Sequence, residues 1–142
     1  MKIRAFRESD TEAVVALWRR CGLVWPQNDP YKDILRKMRV SPEWFLVGDV
    51  AGKIVASVMI GYEGHRGWIN YLAVDVGQRK CGLGRALIEE VERLLRAEGC
   101  AKINLQVRSS NREVLAFYRA IGFLPDDVVS MGKRLERDDG CG

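Results

Sequence analysis

A chain of 142 residues with 47% apolar and 30% charged side chains has the balance of one globular domain, long enough to bury a core without staples. No apolar run approaches the ~20 residues of a membrane span, and Met1 to Glu8 lacks the apolar centre of a signal peptide, so no membrane role is expected and the cytoplasm is favoured. The net charge of +4 suits a small anion, but the basic residues are scattered among acids, which argues against nucleic acid, and four cysteines without a C-x-x-C pair beside one histidine argue against zinc and for free thiols.

Lys2 to Phe6 reads as a short strand. Ser9-Asp10-Thr11-Glu12 has the form of a capping box, with Ser9 capping a helix that carries Val14, Leu17, Trp18 and Cys21 on one face and stops at Gly22. Leu23 to Pro30 is a loop held by two prolines. A second short helix starts at Asp29 or Pro30, with Ile34, Leu35 and Met38 facing inward and Pro42 past its end. Trp44 to Val50 and Lys53 to Glu63 are strands joined by a tight hairpin at Ala51-Gly52. After the turn Gly64-His65-Arg66-Gly67 comes a central strand, Trp68 to Asp75, then a glycine-containing loop, Gln78 to Arg85. The helix behind that loop runs to Glu98 with Leu87, Val91, Leu94 and Leu95 on one face, and Lys102 to Arg108 alternates as a strand. A second capping box, Ser110-Asn111-Arg112-Glu113, opens a helix through Ile121 that Gly122 closes. Phe123 and Val128 to Leu135 are the last strand candidates, and residues 137–142 form a polar tail. The order β-α-α-β-β-β-α-β-α-β-β predicts a single α/β domain over 1–142, with a mixed sheet, helices on both faces, and the 68–75 and 102–108 strands parallel. Spare edge strands are compatible with a homodimer.

The stretch Arg79-Lys80-Cys81-Gly82-Leu83-Gly84-Arg85 follows a strand and opens a helix. The first amides of a helix lack intrahelical partners, the dipole adds positive charge there, and glycines allow close approach, so the stretch predicts a phosphate socket. It is not the dinucleotide fingerprint, because Leu87 stands where a small residue belongs. Nor is it the nucleoside-triphosphate loop, because Leu83 and Gly84 replace the lysine and hydroxyl residue. Cys81 lies where a thiolate is favoured, but no histidine is close in sequence to activate it.

The remaining pattern, Arg-x-x-Gly-x-Gly at Arg79, Gly82 and Gly84, resembles the pyrophosphate loop of the GNAT superfamily of acetyl-CoA-dependent N-acyltransferases. Asn111, Val114, Tyr118, Gly122 and Phe123 match its C-terminal signature, with Val114 in place of the usual alanine. The turn from Gly61 to Gly67 and Asn28-Asp29-Pro30 are similar to small stand-alone bacterial members. The resemblance implies that the central strand and the strand after the helix splay apart, with pantetheine along the main chain of Leu72, Ala73 and Val74. It implies pyrophosphate on the amides of Arg79, Lys80, Cys81, Gly82, Leu83, Gly84 and Arg85. Asn111 would hold the cofactor or nearby backbone, and Tyr118 would face the thioester sulfur. The implied function is direct acetyl transfer from acetyl-CoA, without a metal, to a primary amine on a small molecule, a peptide N-terminus or a lysine. The main-chain N–H of Val74 would steady the oxyanion, and Tyr118 would protonate the departing thiolate. Some relatives carry a glutamate on the central strand, where this chain has Trp68 and Asn70. That leaves Glu63, His65 or water to take the amine proton. Trp25, Asn28, Asp29 and Tyr62, aromatics beside acids, are candidates to bind a cationic acceptor. The alternative is a module that binds acyl-CoA without chemistry, which the missing strand glutamate favours.

Overall fold

Seven successive residues, Ile54 to Ile60, are buried, which makes their strand the centre of the sheet. The computed structural model describes residues 1–79 and 81–138. Its strands are β1 (Lys2–Ala5), β2 (Phe45–Val50), β3 (Lys53–Tyr62), β4 (Gly67–Val74) and β5 (Ile103–Leu105). The helices are α1 (Thr11–Arg20), α2 (Pro30–Lys37), α3 (Leu83–Ala97) and α4 (Arg112–Ala120). The strands lie in the order β1-β2-β3-β4-β5, antiparallel except for the parallel pair β4–β5 that α3 bridges. The mixed α/β class and the crossover are therefore as the sequence predicts. Ala51 and Gly52, with φ of 52° and 85°, make the β2–β3 hairpin, and the Gly52 N–H donates to Asp49 Oδ1 at 2.7 Å. Two adjacent left-handed residues match the twist of the strands they join.

Two cores result, one on each face. Val14, Leu17 and Trp18 of α1 and Ile34 of α2 pack with Phe6, Phe45 and Val47. Leu87, Ile88, Val91 and Leu95 of α3 and Tyr118 of α4 pack with Leu46, Val58, Ile60 and Ile69 on the other. Among the described residues no helix is long and apolar enough to cross a membrane.

Three local expectations give way. Ser9 does not cap α1. Residues Glu8–Asp10 form a 3-10 turn, in which Asp10 Oδ2 accepts the Arg7 N–H at 2.9 Å. The Arg4 guanidinium grips both Asp10 oxygens at 2.8 and 3.0 Å, and this fork holds the carboxyl below its ordinary range. The charge-assisted fork commits the Asp10 carboxylate to Arg4 and the turn, and no side chain caps α1 among the described residues. In α2 the cap is Asp29, which accepts from the Tyr31 and Lys32 amides at 2.9 and 3.4 Å, with Pro30 preset for the first turn. Of its expected inner face only Ile34 is buried. Leu35 and Met38 are 61% and 37% exposed, because a two-turn helix turns one narrow stripe inward. At α4 Asn111, not Ser110, is the cap.

The largest departure follows α4. No strand forms at Phe123 or at Val128 to Leu135 among the described residues. Val128, Val129, Met131 and Leu135 are at least 76% exposed. The segment instead meets the β5 region through side chains. Asp126 accepts from Lys102 Nζ and Asn104 Nδ2, each at 2.8 Å, and Gln106 Nε2 donates to Ser130 Oγ. Side chains, not a backbone ladder, link the two segments among the described residues. The β5 strand shortens to three residues, and a groove of about 1300 Å³ runs along its side.

Candidate functional site

Where β4 and β5 part, the sheet opens. Their ladder pairs Gly67 with Ile103, Trp68 with Asn104 and Ile69 with Leu105, then ends, although β4 continues to Val74. The cause lies on the other side of β4. The β3–β4 register shifts between Ser57 and Met59, and Tyr71 sits at φ 53°, a left-handed conformation that a tyrosine holds only when its surroundings compel it. The Tyr71 ring stacks on Trp18 at 3.8 Å, and its hydroxyl donates to Asp33 Oδ2 at 2.6 Å. Trp18 Nε1 donates to the buried Ser57 Oγ at 2.8 Å, and Ser57 Oγ donates to the Tyr71 carbonyl at 2.9 Å. Sequence reasoning passed over Ser57 and Tyr71. A lone hydroxyl inside the apolar run from Ile54 to Ile60 was the available signal.

Past the bulge, the Asp75 N–H donates to Val55 O at 2.8 Å, so Asp75 faces β3. Alternate residues of a strand point their N–H and C=O to opposite edges, so Ala73 faces β3, while Leu72 and Val74 face the opening. The Val74 carbonyl accordingly accepts from outside the sheet, from Arg79 Nε at 3.2 Å and Cys21 Sγ at 3.4 Å.

At the end of the opening stands the start of α3. Gly82 has φ 78° and no side chain caps the helix. Among the described residues the first amide bonded back is Ala86, to the Gly82 carbonyl at 3.0 Å, so the N–H groups of Leu83, Gly84 and Arg85 precede the ladder at the helix start. Arg79, Cys81 and Arg85 are exposed around them, and Lys80 lies outside the described residues. Free amides, a helix dipole and two guanidiniums fit a diphosphate. The two glycines have different work. Gly82 supplies the left-handed turn. A Cβ on Gly84 would stand 3.0 Å from the Phe117 ring, so its smallness admits α4 rather than an anion. Gly84→Ala should cost about 1–3 kcal/mol by overpacking, read as a lower melting temperature with or without ligand.

On the α3/α4 side of the sheet, Tyr118 is buried between Phe117 and Phe123, at ring separations of 5.2 and 5.3 Å. No protein hydrogen bond to its hydroxyl is formed among the described residues, yet that oxygen is not sealed in, and the residue lines the groove beside β5. Burial pushes the phenol well above its ordinary pKa, so it stays protonated through and beyond the neutral range. Asn111 Oδ1 accepts the Val114 N–H at 3.2 Å, tying that side chain to adjoining backbone.

The other candidates divide. Glu63 folds onto its own turn, accepting from the His65 N–H at 2.8 Å and from the Arg66 N–H, and the Arg66 amide first of all holds its carboxyl below the ordinary range. The Tyr62 hydroxyl donates to Gly64 O at 3.3 Å, and His65 is exposed. All three sit at the Gly67 end of β4, about 20 Å of strand from Val74. The geometry does not bring them to the opening at the Val74 end.

Trp25, Asn28 and Asp29 do gather. With Arg19, Pro30 and Tyr31 they line a cavity of about 530 Å³. Arg20 Nη2 reaches Asp75 at 2.9 Å and Cys21 reaches Val74, which fixes this loop at the open end of β4. Arg108, just past β5 and unremarked in the sequence, lies over the Trp25 ring at 3.6 Å. Asp29 is occupied as the α2 cap, so its carboxylate serves the helix.

A family model described as acetyltransferase (GNAT) family matches residues 7–123. An acetyltransferase of Sodalis glossinidius is 48% identical over 139 residues, covering 97% of this chain and 98% of its own. One of Pectobacterium atrosepticum is 48% identical over 138 residues, covering 97% and 98%. Among solved structures, Ard1 from Thermoplasma volcanium superimposes with a TM-score of 0.79 at 30% identity, over 87% of this chain and 82% of that one. The ribosomal-protein-S18-alanine N-acetyltransferase of Escherichia coli does so with 0.70 at 25%, over 85% and 76%. A sheet that parts beyond Ile69, an uncapped helix start at the end of the opening and a match across nearly the whole chain make this an acetyltransferase of the GNAT family.

Proposed function

We propose that the chain moves the acetyl group of acetyl-CoA directly to a primary amine. The observation that carries this is the edge of β4 beyond Ile69, where the main chain of Leu72 and Val74 faces an opening that ends at the amides of α3. In this reading the amides of Leu83, Gly84 and Arg85, with Arg79, Lys80, Cys81 and Gly82 in the same loop, hold the diphosphate. Main-chain groups of Leu72 and Val74 align the pantetheine, and Asn111 keeps the start of α4 in shape beside it. Acetyl-CoA supplies the activated thioester. The Val74 N–H steadies the oxyanion, and the protonated Tyr118 gives its proton to the departing sulfur. Glu63 and His65 lie far from that end, so water takes the proton of the amine. Trp25 and Asn28 bound the acceptor's approach. The likeness to a structure named as a ribosomal-protein-S18-alanine N-acetyltransferase favours a peptide amine, with small molecules and lysine as further acceptors. Cys21, Cys81 and Cys100 are free thiols, in keeping with a cytoplasmic enzyme.

Acetyl-CoA at a hundred times its dissociation constant should stabilise the fold by about 2.7 kcal/mol. Gly82→Val should abolish that gain, because a β-branched residue cannot hold the left-handed turn. An equal melting-temperature rise in parent and variant would refute the loop's role. A thiol-release screen of amines then separates enzyme from the second reading, a module that binds acyl-CoA without chemistry. The remoteness of Glu63 and His65 favours that alternative, and binding without thiol release for every amine would establish it.

A further inference from the structure

The Asp138 side chain is fully enclosed, although the segment leading to it is exposed and makes no strand. Arg36 Nη2 donates to its Oδ1 at 2.6 Å and Arg36 Nη1 to its Oδ2 at 3.0 Å. The Asp29 N–H donates to the same Oδ2 at 3.1 Å, and Arg134 stands 4.0 Å away. A two-pronged guanidinium with a main-chain amide in support is geometry that suits a carboxylate and disfavours neutral groups. The pocket adjoins the cavity lined by Trp25, Asn28, Pro30 and Tyr31. It is also linked to the opened strand, because Arg36 Nη1 holds Asp33 Oδ1 at 3.0 Å and Asp33 Oδ2 accepts the Tyr71 hydroxyl at the bulge. Asp126, Ser130 and Arg134 also tie this segment down, to the β5 region and to Asn28, but through exposed side chains and with no strand pairing among the described residues, so an incoming carboxylate can replace that of Asp138 without unfolding a β-ladder.

We infer that Arg36 and the Asp29 amide form a carboxylate-binding subsite for the amine acceptor, filled in the free chain by Asp138. This rests on the acetyl-transfer reading and narrows its substrate class to amines that carry a carboxylate. An incoming carboxylate takes over the three contacts Asp138 makes, and the acceptor then extends past Trp25 toward Val74. A tethered plug competes at millimolar effective concentration, so the intact chain masks the subsite from weak ligands.

The test uses the full chain with Asp138→Asn and Glu136→Gln together, since Glu136 Oε2 lies 3.5 Å from Arg36 and would otherwise stand in. Calorimetry without CoA compares two matched pairs, alanine with alaninamide and glycylglycine with glycylglycinamide, which separate a free amino acid from a peptide as the source of the carboxylate. The double variant should bind the carboxylate member of at least one pair tenfold or more tighter than its amide and than the parent does. Adding Arg36→Gln should erase the preference. Equal binding within both pairs, no binding of any probe, or a preference that survives Arg36→Gln would each overturn the inference. Failure of the acetyl-transfer reading shows separately, as no thiol release from acetyl-CoA with any amine.

Discussion

Tyr118→Phe should lower turnover about 100- to 10,000-fold, the usual contribution of a positioned general acid. The KM for acetyl-CoA should stay within about twofold, because the substitution removes a group needed in the transition state and not in binding. Stability should hardly change. The hydroxyl has no protein partner to lose among the described residues, and the ring keeps its contacts with Phe117 and Phe123. The pH profile carries a sign. Burial favours the neutral phenol and raises its pKa, so the acid form survives as pH climbs past the ordinary value of about 10. No falling limb below that pH belongs to Tyr118 in the parent. Turnover at saturating amine that matches the parent would remove the residue from the mechanism.

Ser57→Ala is expected to damage stability and rate together. The hydroxyl accepts from Trp18 Nε1 and donates to the Tyr71 carbonyl in a fully buried setting. Deleting it leaves the buried Trp18 N–H and the part-buried Tyr71 carbonyl without this partner, at about 1–3 kcal/mol. Melting experiments read that loss. The kinetic effect has a different origin. Tyr71 holds φ 53° because its carbonyl, ring and hydroxyl are each held, and the bulge aims the amides of Leu72 and Val74 into the opening. A relaxed bulge misplaces those amides, and turnover should drop about tenfold or more. Trp18→Phe breaks the same chain from its other end while keeping an aromatic stack on Tyr71. The two substitutions together should therefore cost less than the sum of each, as residues of one network do. Additive losses in stability would show that Ser57 and Trp18 act independently.

Much of the fold could be read from the residues in order. The apolar run of β3, the Ala51-Gly52 turn and the apolar faces of α1 and α3 are local patterns, and each became the element it suggested. The loop from Arg79 to Arg85 was legible for the same reason, since a strand, a glycine turn and a helix start are consecutive in the chain. Two kinds of feature escaped. Side chains that compete for one role looked equivalent until their partners were known, as with Ser110 and Asn111, of which Asn111 caps α4. Position along a strand was also hidden. Glu63 and His65 adjoin β4 in sequence but stand at its far end from Val74.

Composition, periodicity and turn chemistry were enough to establish an α/β domain in which a glycine turn leads from β4 into α3, because hydrophobic spacing and glycine conformations act over a few residues. Contacts between distant parts of the chain settled everything else: that β4 leaves β5 after Ile69, that Gly84 makes room for Phe117, and that the last segment lies beside β5 without pairing. Those outcomes depend on which side chains meet in space and on whether buried polar atoms find partners, as Ser57 and Tyr71 do, and such conditions exist only once the chain has folded.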